Sequence, residues 1–318
     1  MRIAFTSCMN TTAFKKQPVW KTIGDLNPDQ LVLLGDSVYL DVPWAADQTH
    51  PRDLSDNDFV AHGLQRYAAQ LAVTEFAKLV KKVPTHPIWD DHDFLWNESY
   101  EERAITRKVY KGKIRATRSL FKNYVETLKQ RLAPGSFPKE VADGRLWTDP
   151  EVPPGYRFVD LGSGVALHLT DGRSWRVRKT LLGDTQRQQI AEKMASMSAD
   201  TVHLLASGSV VQQEKGDAWS KFDDFAWLGN LAQMHKILVL SGDIHDNRPS
   251  VLDLGAGKYL FDATASGAAV GTLVILGEPL QNFGVVDISD DLVEVHFIGM
   301  GAPNRAPVRI KRSTWKPQ

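Results

Sequence analysis

QLVLLGDSVY (residues 30–39) carries an unbroken apolar run, Leu31–Leu34, that stops abruptly at Gly35 and Asp36. A short β-favouring run bounded by Gly, Asp and Ser reads as a buried strand running into a turn. The same pattern recurs in RIAFTSC (2–8), THPIWDDHD (85–93), GVALHLTDGRSWR (164–176), VHLLASGS (202–209) and KILVLSGDIH (236–245). Helical spacing fills the intervals. From a cap at Ser55 or Asp56, apolar residues recur through Phe59, Val60, Leu64, Tyr67, Leu71, Phe76, Leu79 and Val80. A basic helical stretch over 101–131 follows, and TLLGDTQRQQIAEKMASM (180–197) predicts another helix capped by Asp184 or Thr185. Strand–helix alternation implies an α/β fold with largely parallel central strands. In the last third, KYLFDATASG, GTLVILG, NFGVVDIS and LVEVHFIGM predict antiparallel strands joined by short turns. PGSFP (134–138) and EVPPGYR (151–157) punctuate as loops. With no repeat or linker, residues 1–318 read as a single domain with a basic helical insertion around 98–150.

Composition narrows the function classes. The 38 basic and 38 acidic residues cancel, which argues against a stable nucleic-acid complex or a membrane-coating role. A single cysteine, Cys8, excludes an internal disulfide. No apolar run is long enough to predict a membrane span. Met1 leads straight into a strand, without the basic and apolar regions of an export signal. The expectation is a cytoplasmic protein, unless a leader has been trimmed. Oligomeric state is left open.

In open α/β sheets, ligands bind beyond the carboxyl ends of the strands. There this sequence gathers Ser7, Cys8 and Asn10; Asp36, Tyr39 and Asp41; Asp90, Asp91, His92, Asp93 and Asn97; Ser207 and Ser209; Asp243, His245, Asp246 and Asn247. One acidic strand end is explained by a turn or a cap. Several at one edge repel one another, and a cation is the usual remedy. Oxygen donors dominate, which suits Ca²⁺, Mg²⁺ or Mn²⁺, while the phenol and thiol suit a redox-capable metal such as iron. A mixed pair fits this inventory better than two zincs.

LLGDSVYLD, IWDDHDFLWN and LVLSGDIH, in that order, resemble the G-D-x-x-Y, W-D-D-H-[DE]-x-x-x-N-like and S-G-D-x-H motifs of the PhoD-like alkaline phosphatase family of metallophosphatases. The SC ending the first strand, LTDGRSWR with LLGDTQ, DAWSKFDDF and ATASGAA resemble further segments of that family, so the likeness spans roughly 3–290. It implies a metallophosphatase-like β-sandwich of mixed sheets flanked by helices, with the metal site at the C-terminal ends of the central strands. Carried over residue by residue, it makes Asp36 the bridge between two metals. The G-D-x-x-Y is also similar to that of purple acid phosphatases, in which the Tyr binds Fe(III). Tyr39 then becomes an iron phenolate, Cys8 an iron thiolate, and His245 falls on the same side. Asp243 stands where most metallophosphatases place a His, giving the second site oxygen character. Asp91 and Asn97 are implied as further ligands of that second, Ca²⁺-like ion, with Mn²⁺, Mg²⁺ or Zn²⁺ as substitutes for either metal. Asp90, Asp91 and Asp93 are not separable from sequence. As read, the sequence is expected to depart from the family in having no export signal and no extra N-terminal domain of the kind carried by the larger secreted members, and it has DDF in place of D-G-Y.

The implied activity is phosphoric ester hydrolysis, as phosphodiesterase or phosphomonoesterase. Two metals sharing a hydroxide make a nucleophile near neutral pH. His92 is the candidate general acid, with a second role as partner of a neighbouring carboxylate left open. Arg173 is a candidate phosphate ligand, or else pairs with a carboxylate such as Asp171. Asn10 and Trp96 are placed at the substrate pocket. Ten Lys or Arg between Arg103 and Arg131 form either a solvated face or a wall that steers a polyanionic phosphate ester. The alternatives are a hydrolase of another ester on the same scaffold and a non-catalytic module whose metals are structural. A dinucleotide fold is disfavoured, because no G-x-G-x-x-G follows the first strand.

Overall fold

The computed structural model describes residues 1–318 except 43–48, 106–109, 215, 271–273, 276–277, 280 and 302–303. Along the chain, β1 (Arg2–Thr6), β2 (Gln30–Leu34) and β3 (Thr85–Ile88) come first. β4 (Arg157–Gly162), β5 (Val165–Leu169), β6 (Val202–Ser207), β7 (Lys236–Ser241), β8 (Asn247–Asp253) and β9 (Tyr259–Ala265) follow. β10 (Val274–Ile275) and β11 (Glu278–Pro279) form a small ladder of their own. The chain closes with β12 (Asn282–Ile288), β13 (Leu292–Gly299), β14 (Arg305–Lys311) and β15 (Lys316–Pro317).

Two mixed sheets result. One is ordered β15-β14-β13-β12-β1-β2-β3, the other β4-β5-β6-β7-β9-β8. β1, β2 and β3 are parallel, as are β5, β6, β7 and β9. The antiparallel pairing expected for the last third holds for β12 to β15, but β9 joins β7 in parallel. GTLVILG contributes only 274–275 within the described residues.

Alternation along the strands decides the layers. Ile3, Phe5, Val32 and Leu34 face Leu204, Leu238, Leu240 and Phe261 in a core between the sheets. Each such side chain, fully buried, contributes about 1.5–3 kcal/mol. Ala4, Leu31 and Leu33 point the other way, towards helices α1 (Val19–Asp25), α2 (Asp56–Leu71) and α3 (Thr74–Lys82). The short α4 (Asp91–Phe94) and α5 (Glu101–Ile105) and the long α6 (Lys111–Lys129) complete that side. Leu205, Ile237 and Val239 instead meet α7 (Asp184–Ala195) and α8 (Asp224–Met234). The architecture is α/β, two mixed sheets sandwiched by helices. No described helix is long and apolar enough to cross a membrane.

Two local expectations change and one is narrowed. The helical run from Asp56 to Val80 is two helices: Val73 is extended between them, which turns Phe76 edge-on to Trp20 of α1 at 4.8 Å. Ser55 is the cap of α2, its Oγ accepting the Asp58 N–H at 3.1 Å. The cap of α7 is Gly183, not Asp184 or Thr185, because Asp224 Oδ2 holds the Leu182 N–H at 2.8 Å and fixes the chain one residue earlier.

The basic stretch is largely a paired one. Arg118 is clamped by Glu101, Arg115 by Glu151 and Lys122 by Asp149. Lys113 is buried against Leu54 O and Asp56. These cations meet acids of flanking segments, so among the described residues α6 presents a neutralised face rather than a positive wall.

Candidate metal centre

Three of the strands that end at this edge of the sandwich, β1, β2 and β7, break with a sharp backbone corner. Cys8, Asp36, Asp243 and His245 lie in the left-handed region, at φ 63°, 52°, 74° and 56°. That conformation is costly for residues with a Cβ and gathers where function over-determines the chain. Here it turns four polar side chains back over the strand ends. Gly35 (φ 93°) precedes Asp36, and a Cβ there would come 2.5 Å from that of Asp90. Gly208 crowds the same carboxylate: its Cβ would fall 2.4 Å from Asp90 Cγ.

On one side of Asp36 sit a thiol, a phenol and an imidazole. Cys8 Sγ lies 3.4 Å from Asp36 Oδ2 and 3.3 Å from Ser266 Oγ. Tyr39 OH is 3.5 Å from the same Asp36 oxygen and 3.1 Å from His245 Nε2. Ser266 Oγ also accepts the His245 N–H at 2.9 Å, which ties the β9 end to the β7 end. On the other side, Asp36, Asp90, Asp91 and Asp243 bring carboxylate oxygens within 4.8 Å of one another. A second grouping at that separation joins Asp36, Asp91 and His92. Asp36 belongs to both carboxylate groupings and meets Cys8 and Tyr39 on the other side.

The turn after β3 sorts the three aspartates that sequence left unseparated. Trp89 is buried against Phe94 and Phe121 and donates Nε1–H to Asp171 Oδ1 at 2.7 Å, which anchors the turn. Asp93 faces inward and accepts the N–H groups of Val38 and Asp90, each at 3.1 Å. It braces the loops and stands apart from the carboxylate cluster. Asp91 Oδ2 takes the Glu98 N–H at 2.5 Å and its Oδ1 the His92 N–H at 3.0 Å. Asp90 Oδ1 accepts from Arg173 Nε–H at 2.6 Å, while its buried Oδ2 has no hydrogen-bond partner.

Burial and crowding shift the titrating groups of this cluster. Burial, then the nearby Cys8 thiol and the other acids, raise Asp36 well above the usual carboxylate range. Burial with Asp90 and Asp91 beside it pushes Asp243 up to about 8, and burial pushes Asp90 up to about 7 despite Arg173. Burial raises the Cys8 thiol to about 11 and the Tyr39 phenol far above its ordinary value. Asp91 is the exception: burial works against its charge, but Arg173, His92 and the Glu98 N–H outweigh it and hold it low. Crowded carboxyls with raised pKa and an orphaned Asp90 oxygen are what a cation would relieve. The donors fit metals of two kinds: oxygens on one side, and sulfur, phenol and imidazole on the other.

The family is decided at this point. The model of the PhoD-like phosphatase family matches residues 3–272. The chain belongs to that family. No curated protein matches it significantly. Among solved structures, a dimetal phosphatase from Danio rerio is similar over 98% of this chain and 99% of its own, with 10% identity and a TM-score of 0.55. The GAP50 anchor of the Plasmodium inner membrane complex is similar over 98% of this chain and 88% of its own, with 12% identity and a TM-score of 0.51. At such identities the likeness is one of fold alone.

The remaining residues singled out in this PhoD-like phosphatase chain are placed as follows. His92 Nδ1 lies 2.5 Å from Asp41 Oδ1, and its ring stacks on Tyr39 with centroids 4.2 Å apart. Asp41 was visible in LLGDSVYLD, five residues past Asp36, but nothing in the sequence alone gave it a partner. Asn97 sits exposed on the rim, held to Asp41 Oδ2 through its backbone N–H at 2.8 Å. Trp96 is half-buried and edge-on to Tyr110 at 4.8 Å. Asn10 is buried, with Oδ1 engaged by the Ala13 N–H at 3.1 Å. Arg173 is not placed to meet a substrate. It is 1% exposed and pairs with Asp90 and Asp217, while only its backbone N–H reaches Asp171.

Proposed function

We propose that the chain is a phosphoric ester hydrolase working at a two-metal centre whose shared ligand is Asp36. The observation that carries this reading is the position of Asp36, common to the thiol–phenol–imidazole side and to the carboxylate side. Cys8, Tyr39 and His245 would hold the redox-capable ion, read as Fe(III). Asp90, Asp91 and Asp243 would hold the harder ion, read as Ca²⁺, with Asn97 at its rim. Bound there, the pair supplies a water of lowered pKa and neutralises phosphoryl oxygens.

The chain's own residues do the rest. His92 gives the proton on Nε2, the ring nitrogen away from Asp41, to the leaving oxygen. Asp41 fixes the tautomer by accepting from Nδ1 and stabilises the imidazolium. The Tyr39 ring against His92 limits its rotation. Burial of the Cys8, Asp36 and Asp90 side chains keeps bulk water from the ligand oxygens.

The test is release of nitrophenol from bis(4-nitrophenyl) phosphate and 4-nitrophenyl phosphate by protein of measured metal content. Asp36→Asn is expected to abolish turnover of both and lower bound metal. Wild-type turnover by Asp36→Asn would remove its bridging role. A metal-loaded protein inert towards both esters would instead favour the non-catalytic module.

A further inference from the structure

We infer that Asp217 is a positioning residue: with Arg176 it fixes Arg173, and Arg173 in turn sets the direction in which Asp90 presents its free oxygen to the metal cluster. The inference rests on the cluster being a metal centre, and not on the reaction carried out there.

The arrangement crosses the sandwich. Asp90 follows β3 in one sheet, whereas Arg173 follows β5 and Asp217 follows β6 in the other. Arg173 directs Nε to Asp90 Oδ1 at 2.6 Å, with Nη2 at 2.5 Å from the same oxygen. Its Nη1 donates to Asp217 Oδ2 at 3.1 Å and to Ser99 O at 3.3 Å. Asp217 accepts a second guanidinium, with Arg176 Nη2 at 2.7 Å from Oδ1. Arg176 is itself held over the rings of Tyr100 at 4.6 Å and Phe222 at 5.0 Å.

A buried carboxylate with one oxygen pinned has little freedom left in the other. Arg173 pins Oδ1, so Oδ2 is left unpartnered in the group it forms with Asp36, Asp91 and Asp243. Gly35 and Gly208 flank the same side chain so closely that a Cβ at either position would fall within 2.5 Å of Asp90. The guanidinium fork matters here, because a lysine ammonium cannot span Asp90 and Asp217 at once. Asp217 is the accessible end of the chain of charges, its side chain 16% exposed against 1% for Arg173. Groups that orient metal ligands from behind typically change metal affinity about 10–100-fold when removed.

The experiment is calorimetric titration of the full chain, stripped and refilled with Mn²⁺, alongside thermal unfolding of the metal-free protein. Asp217→Asn is expected to weaken Mn²⁺ binding about 10–100-fold, and Arg173→Lys to do the same. The double variant Asp90→Asn/Asp217→Asn is expected to lose no more than Asp90→Asn alone, since both act through one carboxylate. If Asp217→Asn does not fold, Arg176→Gln removes one of the two clamps on Asp217 and reads the same quantity. A folded Asp217→Asn or Arg176→Gln that binds Mn²⁺ as wild type does, with only its melting temperature lowered, overturns the inference. So do additive losses in the double variant. A protein that binds Mn²⁺ and responds to these changes, yet hydrolyses no phosphoric ester, leaves the inference standing and removes only the hydrolase reading.

Discussion

His92 and Asp41 meet across 51 residues of sequence, Nδ1 to Oδ1 at 2.5 Å. Burial disfavours the imidazolium, but the charges of Asp36 and Asp91 and the Asp41 contact outweigh it and raise His92 well above its ordinary pKa. A raised pKa keeps a general acid protonated further into the alkaline range. Asp41→Asn is therefore expected to lower kcat by about 10²-fold, within the span typical of general acids, with little change in KM. It should also move the alkaline limb of the kcat profile to lower pH. Kinetics from pH 6 to 10 check both, and an unshifted limb would remove Asp41 from the acid's support.

Tyr39 and Cys8 face the same Asp36 oxygen. If they hold Fe(III), the iron-loaded protein absorbs visible light through phenolate and thiolate charge transfer. Tyr39→Phe is expected to bleach that band, and Cys8→Ser to weaken iron retention, while both keep the far-ultraviolet dichroism of the parent. A colourless, iron-free protein of full activity would dismiss the iron assignment.

Asp243 offers a stability test of opposite sign to the usual acidic group. Its folded pKa of about 8 exceeds the ordinary 3.8. The metal-free fold gains from protonation, so that contribution is complete below about pH 4 and is lost as pH rises through 8. Asp243→Asn carries no such charge. In chelator at pH 8 it should be more stable than the parent by about 1 kcal/mol or more, the scale of an uncompensated buried polar group. Near pH 4 the advantage should vanish. Urea unfolding at the two pH values decides it, and a variant less stable at pH 8 contradicts the prediction.

In the sheet β4–β9, Tyr156 OH, His168 and His203 form a hydrogen-bonded chain, 2.8 Å and 3.0 Å long in its two links. Burial lowers His168 to about 3, helped by His203, Lys193 and His235, and lowers His203 to about 4, helped by His235. Depressed folded values mean that stability is full above the unfolded pKa near 6.5 and falls as pH drops towards 3. His203→Gln should flatten the loss of stability between pH 7 and pH 4.5, whatever its effect at pH 7. A slope equal to that of the parent would exclude these histidines as its source.

The strands could be read directly because each apolar run stops at a small or acidic residue, as Leu34 stops at Gly35. Helix limits were harder. The break at Val73 carries no Gly or Pro, and comes from α3 turning onto Trp20, a tertiary contact. Gly183 caps α7 because Asp224, some forty residues later, holds the preceding turn. At the site, residue types were legible and their division of labour was not. Asp90, Asp91 and Asp93 occupy one turn of chain, and only folded partners distinguish them: Arg173 for the first, Glu98 N–H for the second, Val38 N–H for the third. Arg173 shows the same limit. Its charge is written in the sequence, whereas its burial depends on loops from two sheets.

The left-handed corners at Cys8, Asp36, Asp243 and His245 have a consequence for anyone breeding heat tolerance into this chain. At those positions glycine relieves the backbone, and at two of them it also takes away a carboxylate that resists burial. Selection for survival on heating in a chelating medium would therefore drift towards glycine at the residues that face the cluster. A library screened that way would enrich sturdy proteins with an emptied centre. The same library screened with metal present would hold the four side chains in place.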